Sequence, residues 1–594
     1  MCRIAGIINN KVQPEVLLEK VKVMCRTLQH GGPDDEGVYY DQQEHLAFGH
    51  RRLSIIDLSS GGHQPMTDTH GRTLITFNGE IYNYLELRGE LTGLGITFKS
   101  ATDTEVILQA YLKWGVEAFG KFRGMFAFAL FDTARRLTYL VRDTAGIKPV
   151  YYTAQNNSLS FASEINALTA ADIATQQDPN WPIRFLAFGH IPEPYTTLQQ
   201  VYSLPKGHYL RWDHSLCTYK ICPYQQQGNK IRISDINEAR EIIKQALTKA
   251  VKRQMIADAP LGVFLSGGID SSLLTLLADE EKGRQLKTIS IFFDEKQYDE
   301  QAYQKVILNK TRGENFSHLV KQEDFENHFG HIMEAMDMPT TDGINSWFIS
   351  KYAHDNGLKA VLSGIGADEY FGGYPSFNRI RYLGYLRNIP PFLFSSVHGL
   401  LPDAYKKLTF LVDKSPIADY LLLRGLFSPG DISRILDTDT TQVRTVLFDS
   451  NRVPDSARYS PEQASWFETN LYMQNQLLRD TDVMSMSHGL EVRVPFLDED
   501  FTATVQSIAS DIRFNRQQPK QLLIESFDIL PASVWNRPKM GFSFPLQMWM
   551  RENPRINSPN NYRGKLAQYN IQKFKKGQIH WSKAFALYQI QPHV

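Results

Sequence analysis

A chain of 594 residues is several times longer than a typical domain of about 100 to 200 residues, so at least two separately cored units are expected. Its 42% hydrophobic, 22% charged and 12% aromatic content is that of ordinary globular proteins and excludes collagen-like, disordered and low-complexity architectures. Sixty-four Lys and Arg balance sixty-four Asp and Glu without long blocks of one sign, which leaves no electrostatic footprint for nucleic acid. A phosphate-bearing ligand must then be held by a local site.

The four cysteines make no disulfide framework, and Cys217 and Cys222 lack the second pair or histidine partner of a zinc site. Cys25, Cys217 and Cys222 are expected as reduced structural thiols. No run of eighteen apolar residues occurs, and Met1 to Ile7 lack the apolar core and cleavage site of a signal peptide. The expected address is the cytoplasm, with no membrane partner.

Along the first 170 residues, short strands are expected at Arg3 to Ile8, His45 to Gly49, Thr73 to Asn78, Met125 to Asp132, Leu137 to Arg142 and Ser158 to Ser163, bounded by Gly, Pro, Asn and Asp turns. Two helices interrupt them, Val16 to Thr27 and Asp103 to Trp114, the second with Thr102 as N-cap. This reads as α+β, stacked sheets covered by helices. A stretch rich in Pro, aromatics and Gln from Asp178 to Tyr224 closes the unit, and the polar run Gln225 to Lys230 is the strongest boundary signal. The expected division is 2–210 for the first unit, 211–235 for a linker and 236–594 for the second.

Beyond the linker, Ile236 to Met255 places Ala239, Ile242, Ile243, Ala246, Leu247 and Ala250 on one helical face. A strand at Leu261 to Leu265 then runs into a Gly-rich turn and a helix beginning near Ser272. Further apolar runs at Thr288 to Phe293 and Ala360 to Leu362 sit among helical segments. Strands alternating with helices predict α/β, a parallel sheet with helices on both faces.

Chemistry enters first at Cys2. Removal of Met1 gives its thiol a free α-amine on the same residue, whose ordinary pKa of about 7.7 to 8.0 makes it a usable base. Three ordered segments follow: His50-Arg51-Arg52-Leu53-Ser54-Ile55-Ile56-Asp57, Phe77-Asn78-Gly79-Glu80-Ile81-Tyr82-Asn83 and Ala101-Thr102-Asp103-Thr104-Glu105. With Cys2 they resemble the class II glutamine amidotransferase domain of the asparagine synthetase family. The resemblance implies an Ntn-hydrolase type of fold. It also implies that Cys2 attacks the glutamine side-chain amide and that Asn78 with the Gly79 N–H forms the oxyanion hole. Arg52 would grip the substrate carboxylate, and Glu80 and Asp103 its ammonium group. Read singly, Arg52 and Asp103 could be surface charges and Asn78-Gly79 a hairpin turn. One departure stands out: the family's His-Arg-Gly-Pro-Asp is His30-Gly31-Gly32-Pro33-Asp34 here, which puts glutamine affinity or loop ordering in question.

The second unit carries Leu265-Ser266-Gly267-Gly268-Ile269-Asp270-Ser271-Ser272 between strand and helix, where small residues offer backbone N–H groups to an anion. It is not a Walker A loop, and it resembles the loop of ATP pyrophosphatases. Ser363-Gly364-Ile365-Gly366-Ala367-Asp368-Glu369 and Leu490-Glu491-Val492-Arg493-Val494-Pro495 resemble further asparagine synthetase signatures. The resemblance implies that Leu265, Ser266, Gly267, Gly268, Asp270, Ser271, Ser272, Ser363 and Gly364 bind ATP. Asp270 and Asp368 would hold Mg²⁺, and Lys520 would act in adenylation and amide formation.

Two departures bear on the acceptor. Ile365 stands where the family usually has a Glu, and Thr340 to Ser346 contain no Arg for an aspartate α-carboxylate, whose unpaired burial is costly. Arg479, Asp480 and Asp482 are candidate substitutes. The expectation is an AMP-forming carbon–nitrogen ligase that uses glutamine and ATP, with aspartate as default acceptor and a homodimer left open. The alternatives are a relative amidating another carboxylate, such as a sugar acid or natural-product intermediate, and a non-catalytic or regulatory protein that keeps only glutaminase activity. The basic segment from Lys573 to Lys576 reads as solvated surface.

Overall fold

The computed structural model describes residues 2–225, 232–391, 394, 405–448, 459–514 and 518–591. Most of the polar boundary run, from Gln226 to Lys230, lies outside these described residues.

Twelve strands build the first unit: β1 (Arg3–Asn9), β2 (Asp35–Asp41), β3 (Leu46–Arg52), β4 (Met66–Thr67), β5 (Thr73–Ile81), β6 (Gly124–Asp132), β7 (Leu137–Arg142), β8 (Tyr151–Gln155), β9 (Ser158–Ala162), β10 (Tyr202–Ser203), β11 (His208–Asp213) and β12 (Thr218–Pro223). They form two six-stranded antiparallel sheets, in the orders β10-β8-β9-β1-β3-β2 and β12-β11-β7-β6-β5-β4. Strand β6 shows why the layers stack. All its residues are buried, and successive side chains point to opposite faces. Phe126, Phe128 and Leu130 pack with Val106 and Tyr111 of the helix Asp103–Trp114, while Ala127, Ala129 and Phe131 meet Ile4, Phe48 and Phe161 of the other sheet. Thr102 caps that helix by accepting from the Glu105 N–H at 3.2 Å, as its sequence position predicts.

The expected boundary at 210 falls inside a strand. The hairpin β11–β12 completes the second sheet, and Tyr224 Oη donates to the Arg142 carbonyl at 2.8 Å. The first unit therefore runs through Tyr224. Sequence alternation in β12 is masked because it is an edge strand with exposed faces.

The second unit is built on a five-stranded parallel sheet of β13 (Leu261–Phe264), β14 (Lys287–Phe292), β15 (Glu314–Leu319), β16 (Ala360–Leu362) and β17 (Glu491–Arg493), in the order β15-β14-β13-β16-β17. Leu261, Val263 and Leu362 face the helices Ile236–Gln254 and Ile269–Lys282 through Ile243, Leu247, Leu273 and Leu277. Ile289, Ile291 and Val361 point the other way, towards Phe348 and Ala353 of Ile344–Asp355. Helices cover both faces, as a parallel sheet requires. Among the described residues, no helix is long and apolar enough to cross a membrane.

Candidate active sites

Cys2 sits just before β1, buried, with Sγ 4.0 Å from the Leu53 carbonyl. Burial pushes its thiol up to about 11, so it needs a local base to become a nucleophile. Its backbone N–H donates to Asn78 Oδ1 at 3.3 Å. Asn78 and Gly79 lie inside β5, not in a hairpin turn. Asn78 is wholly buried and its Nδ2 has no hydrogen-bond partner among the described residues, so a donor stands ready beside the thiol's residue. Gly79 has φ +148°, and a Cβ there would lie 2.1 Å from the Met125 carbonyl oxygen of β6; only glycine fits.

Arg52, at the end of β3, is buried and donates to the carbonyls of Ser59 at 2.9 Å and of Asp57. Backbone carbonyls orient the fork, and no carboxylate pairs with it among the described residues. Asp103 opens its helix and accepts from the Ile81 N–H at 2.9 Å; burial raises its carboxyl to about 6 despite that bond. Glu80 is also pushed up, by burial and then by Glu491 and Asp103. Thus Arg52 and Glu80 bear electrostatically on Cys2 and Asp103 on Glu80, a cation and two carboxyls that can pair with the two ends of an α-amino acid, whose ammonium would favour their ionised forms.

The second site opens into a cavity of about 1080 Å³. Leu265, Ser266, Gly268, Asp270 and Ser271 line it from the first loop, and Ser363, Gly364, Ile365 and Asp368 from the second. The helix begins at Ile269 rather than near Ser272, which places Asp270 and Ser271 in its first turn. Ser271 Oγ receives the Ser266 N–H at 3.2 Å and lies 2.9 Å from Ser266 Oγ, closing the turn. Gly267 (φ +86°) and Ser272 do not line the cavity. Gly267 packs on Gln304 and Tyr303, and Ser272 is wholly buried beneath the loop. At Gly364 a Cβ would approach Asp270 Cβ to 2.9 Å, so the two loops touch.

Lys520 joins them: its Nζ lies 2.5 Å from both Asp270 Oδ2 and Asp368 Oδ1. Lys539 Nζ reaches the same Asp368 oxygen at 2.7 Å. Burial opposes ionisation of Asp368, but the two lysines hold it down to about 2. Lys520 is held above its ordinary value by the carboxylates, against the cost of burial. The buried Asp270 Oδ1 has no hydrogen-bond partner among the described residues and fits a divalent cation's demand for carboxylate oxygen.

Sequence reasoning missed Lys539 and Arg537. The latter donates to the Gly267 carbonyl at 3.0 Å and pairs with Glu300 at 2.6 Å. Their signal was two cations flanking a proline, Arg537-Pro538-Lys539. Arg424, which also lines the cavity, stacks 3.6 Å from the Tyr472 ring centroid and pairs with Glu468 at 2.7 Å; no motif surrounds it.

Two of the proposed substitutes do not serve the acceptor. Arg479 points away from the cavity, pairing with Asp480 at 3.1 Å and donating to Ile191 and Pro339 carbonyls. Asp482 is buried between Arg3 at 2.7 Å and Lys148 at 2.8 Å. Only Asp480 lines the cavity, beside Asp342, whose carboxyl is raised to about 7 by burial and by Asp480.

The sites are connected through Arg493. Its guanidinium lies 3.7 Å from Glu80 and 2.6 Å from Glu491, while its backbone carbonyl accepts from the Ser363 N–H at 2.8 Å. One residue thereby touches a carboxylate of the first site and the backbone of the second.

Comparison with known proteins agrees with this two-part arrangement. The glutamine amidotransferase domain family matches residues 1–224 and the asparagine synthase family residues 243–558. Asparagine synthetase [glutamine-hydrolyzing] 1 of Bacillus subtilis is 32% identical over 569 residues, 93% of this chain and 88% of that protein. Asparagine synthetase [glutamine-hydrolyzing] 3 of the same organism is 30% identical, covering 91% and 86%. Amidase chry2 of Gibberella zeae is 27% identical, covering 90% and 86%. With both domain families in order and such identity along nearly its whole length, the chain belongs to the glutamine-hydrolysing asparagine synthetase family, a glutamine-dependent amidotransferase joined to an ATP-using synthetase domain.

Proposed function

We propose that Cys2 attacks the side-chain amide of glutamine, releasing ammonia and leaving a glutamyl thioester that water hydrolyses to glutamate, and that the second site activates a carboxylate with ATP as its adenylate, expelling pyrophosphate, on which ammonia then displaces AMP. Asn78 and the Gly79 N–H take the oxyanion, while Arg52, Glu80 and Asp103 bind the amino-acid end. Leu265, Ser266, Gly267, Gly268, Ser271, Ser272, Ser363 and Gly364 form or support the nucleotide cradle. Asp270 and Asp368 are the carboxylates that would hold Mg²⁺, which when bound draws charge from the phosphates. Lys520 supplies a positive charge to the same phosphates. The cytoplasm is the proposed address.

Lys520 bridging one carboxylate from each loop is the observation that carries this reading, because it draws both loops, the first of them 250 residues before it in sequence, around one anion-binding space. Aspartate is the default acceptor, to be tried first, with Arg424, one of the cations lining the cavity, as the candidate partner for its α-carboxylate. A second reading, amidation of another carboxylate, is favoured by two facts: Ile365 faces the cavity without an ionisable group, and Arg424 already shares its charge with Glu468. In either case Asp342, half-buried, lining the cavity and next to Thr341, whose N–H donates to the Gly189 carbonyl of the first unit, is our candidate to take the proton from ammonia.

The test is glutamine- and ATP-dependent AMP formation by the purified enzyme, with and without aspartate, and product identification by mass spectrometry. Aspartate-dependent AMP with asparagine establishes the first reading. Glutamate release without aspartate-dependent AMP removes aspartate and leaves the second.

A further inference from the structure

The departure at residue 31 has a structural counterpart two residues into the chain. Gly31 is buried at the end of the turn Gln29–Gly31, and its backbone is not among those with positive φ. Conformation therefore does not demand glycine there. Space does: a Cβ on residue 31 would lie 2.7 Å from Arg3 Cγ and 2.9 Å from Arg3 Nε. The Arg3 side chain runs through the volume that a side chain on residue 31 would enter.

From there Arg3, wholly buried, reaches Glu164 through Nε at 2.7 Å and Asp482 through Nη1 at 2.7 Å. His30 shares Glu164 at 3.0 Å, and Lys148 takes the other oxygen of Asp482 at 2.8 Å. Asp482 belongs to the helix Arg479–Met486 of the second unit. The residue bonded to the nucleophile is thus clamped by a charged fork onto the synthetase body. Glutamine's binding groups hang from elsewhere: Arg52 on β3, Glu80 on β5 and Asp103 on a helix. None of their side chains is bonded to the Arg3 guanidinium.

We propose that Arg3 is a positioning residue for glutamine hydrolysis, an arginine supplied from β1 to the space that the family pattern fills from residue 31, and that it fixes the placement of Cys2 against the synthetase unit. The inference rests on the reading of Cys2 as the nucleophile. Displacing the fork moves the first residue of β1, and with it Cys2 one peptide bond away, while leaving the glutamine pocket intact. The expected signature is a fall in kcat at constant KM, since small misplacements of a reacting group are costly in rate.

Gly31→Ala tests this without removing a charge, because the atoms its methyl meets first are those of Arg3. Glutamate release should fall about tenfold in kcat with KM nearly unchanged, while a diazoketone analogue of glutamine still titrates Cys2 in every molecule. Arg3→Lys, which keeps the charge but not the two-pronged geometry, should show the same split. The exchange Arg3→Gly with Gly31→Arg should recover most of the rate lost in Arg3→Gly alone. A purely structural role predicts instead a lower titratable fraction with normal kcat per titrated Cys2. That result in Gly31→Ala, or a double variant no faster than Arg3→Gly, overturns the proposal. A wild-type enzyme without Cys2-dependent glutamate release overturns the reading of Cys2 and this inference with it, whereas an active wild type matched by Gly31→Ala overturns the inference alone.

Discussion

Asn78 offers the sharpest test of the glutaminase site. Its side chain is wholly buried, Oδ1 is engaged by the Cys2 N–H at 3.3 Å, and Nδ2 has no partner among the described residues. A buried amide donor left unsatisfied costs about 1–3 kcal/mol, and that cost is relieved when an oxyanion forms against it. Asn78→Ala removes the donor. Loss of one such donor typically lowers kcat by about 10²–10³, or roughly 2.7–4 kcal/mol. The stability change should be much smaller, about 1 kcal/mol, because loss of the bond to Cys2 and of buried volume is partly offset by removal of the unsatisfied Nδ2 donor. Asn78→Asp should be slower still: the oxygen that meets Cys2 is kept, but a carboxylate now faces both the developing oxyanion and the nearby Glu80. Steady-state glutamate release, with kcat and KM separated and melting measured alongside, reads all of this. If Asn78→Ala retains a kcat within about fivefold of wild type, or if its loss lies in KM alone, Asn78 is not the oxyanion donor and the reasoning fails.

Lys520→Met leaves Asp270 and Asp368 facing each other without their shared cation. ATP–pyrophosphate exchange should disappear, and stability should fall by less than the about 3–5 kcal/mol of a broken buried pair, because Lys539 still holds Asp368; exchange at the wild-type rate refutes the role. Gly79→Ala forces a methyl into the Met125 carbonyl at a backbone φ of +148°. It should destabilise by about 2 kcal/mol or more and abolish glutamate release, which thermal denaturation and the glutaminase assay check together. Asp342 gives a pH prediction. Its carboxyl ionises near 7 in the folded chain against 3.8 ordinarily, so between these values the folded state holds a proton the unfolded state has lost, and stability falls as pH rises. The penalty reaches at most about 4 kcal/mol above pH 7. Asp342→Asn should therefore gain melting temperature over wild type progressively from about pH 4 to 7, while losing amide formation; an equal difference at pH 5 and pH 8 refutes the shift.

How far the sequence reveals this molecule depends on whether a signal is local. The helix Asp103–Trp114 announces itself through the Thr102 cap and its apolar spacing, and strands β6 and β7 through continuous apolar or alternating runs. Strand β17 does not: Glu491-Val492-Arg493 looks exposed, and the pairing of Arg493 with Glu491 and Glu80, together with its bonds to the Gln254 and Ile256 carbonyls, makes its burial tolerable. Strand β12 fails for the opposite reason, since an edge with wet faces has no alternation to read. The same division holds for the sites. Cys2, Asn78, Gly79 and the Ser266 to Ser271 turn are contiguous motifs, legible because backbone geometry fixes which residues fit. Arg424, Arg537 and Lys539 act through partners 44, 237 and 171 residues away in sequence, and only folding decides which carboxylate each one meets. Gly31 lies between these cases. The sequence shows that an arginine is missing from its place, but only packing shows Arg3 lying where a Cβ on residue 31 would enter, because a one-letter departure records what changed at a position and not what the space beside it then accepts.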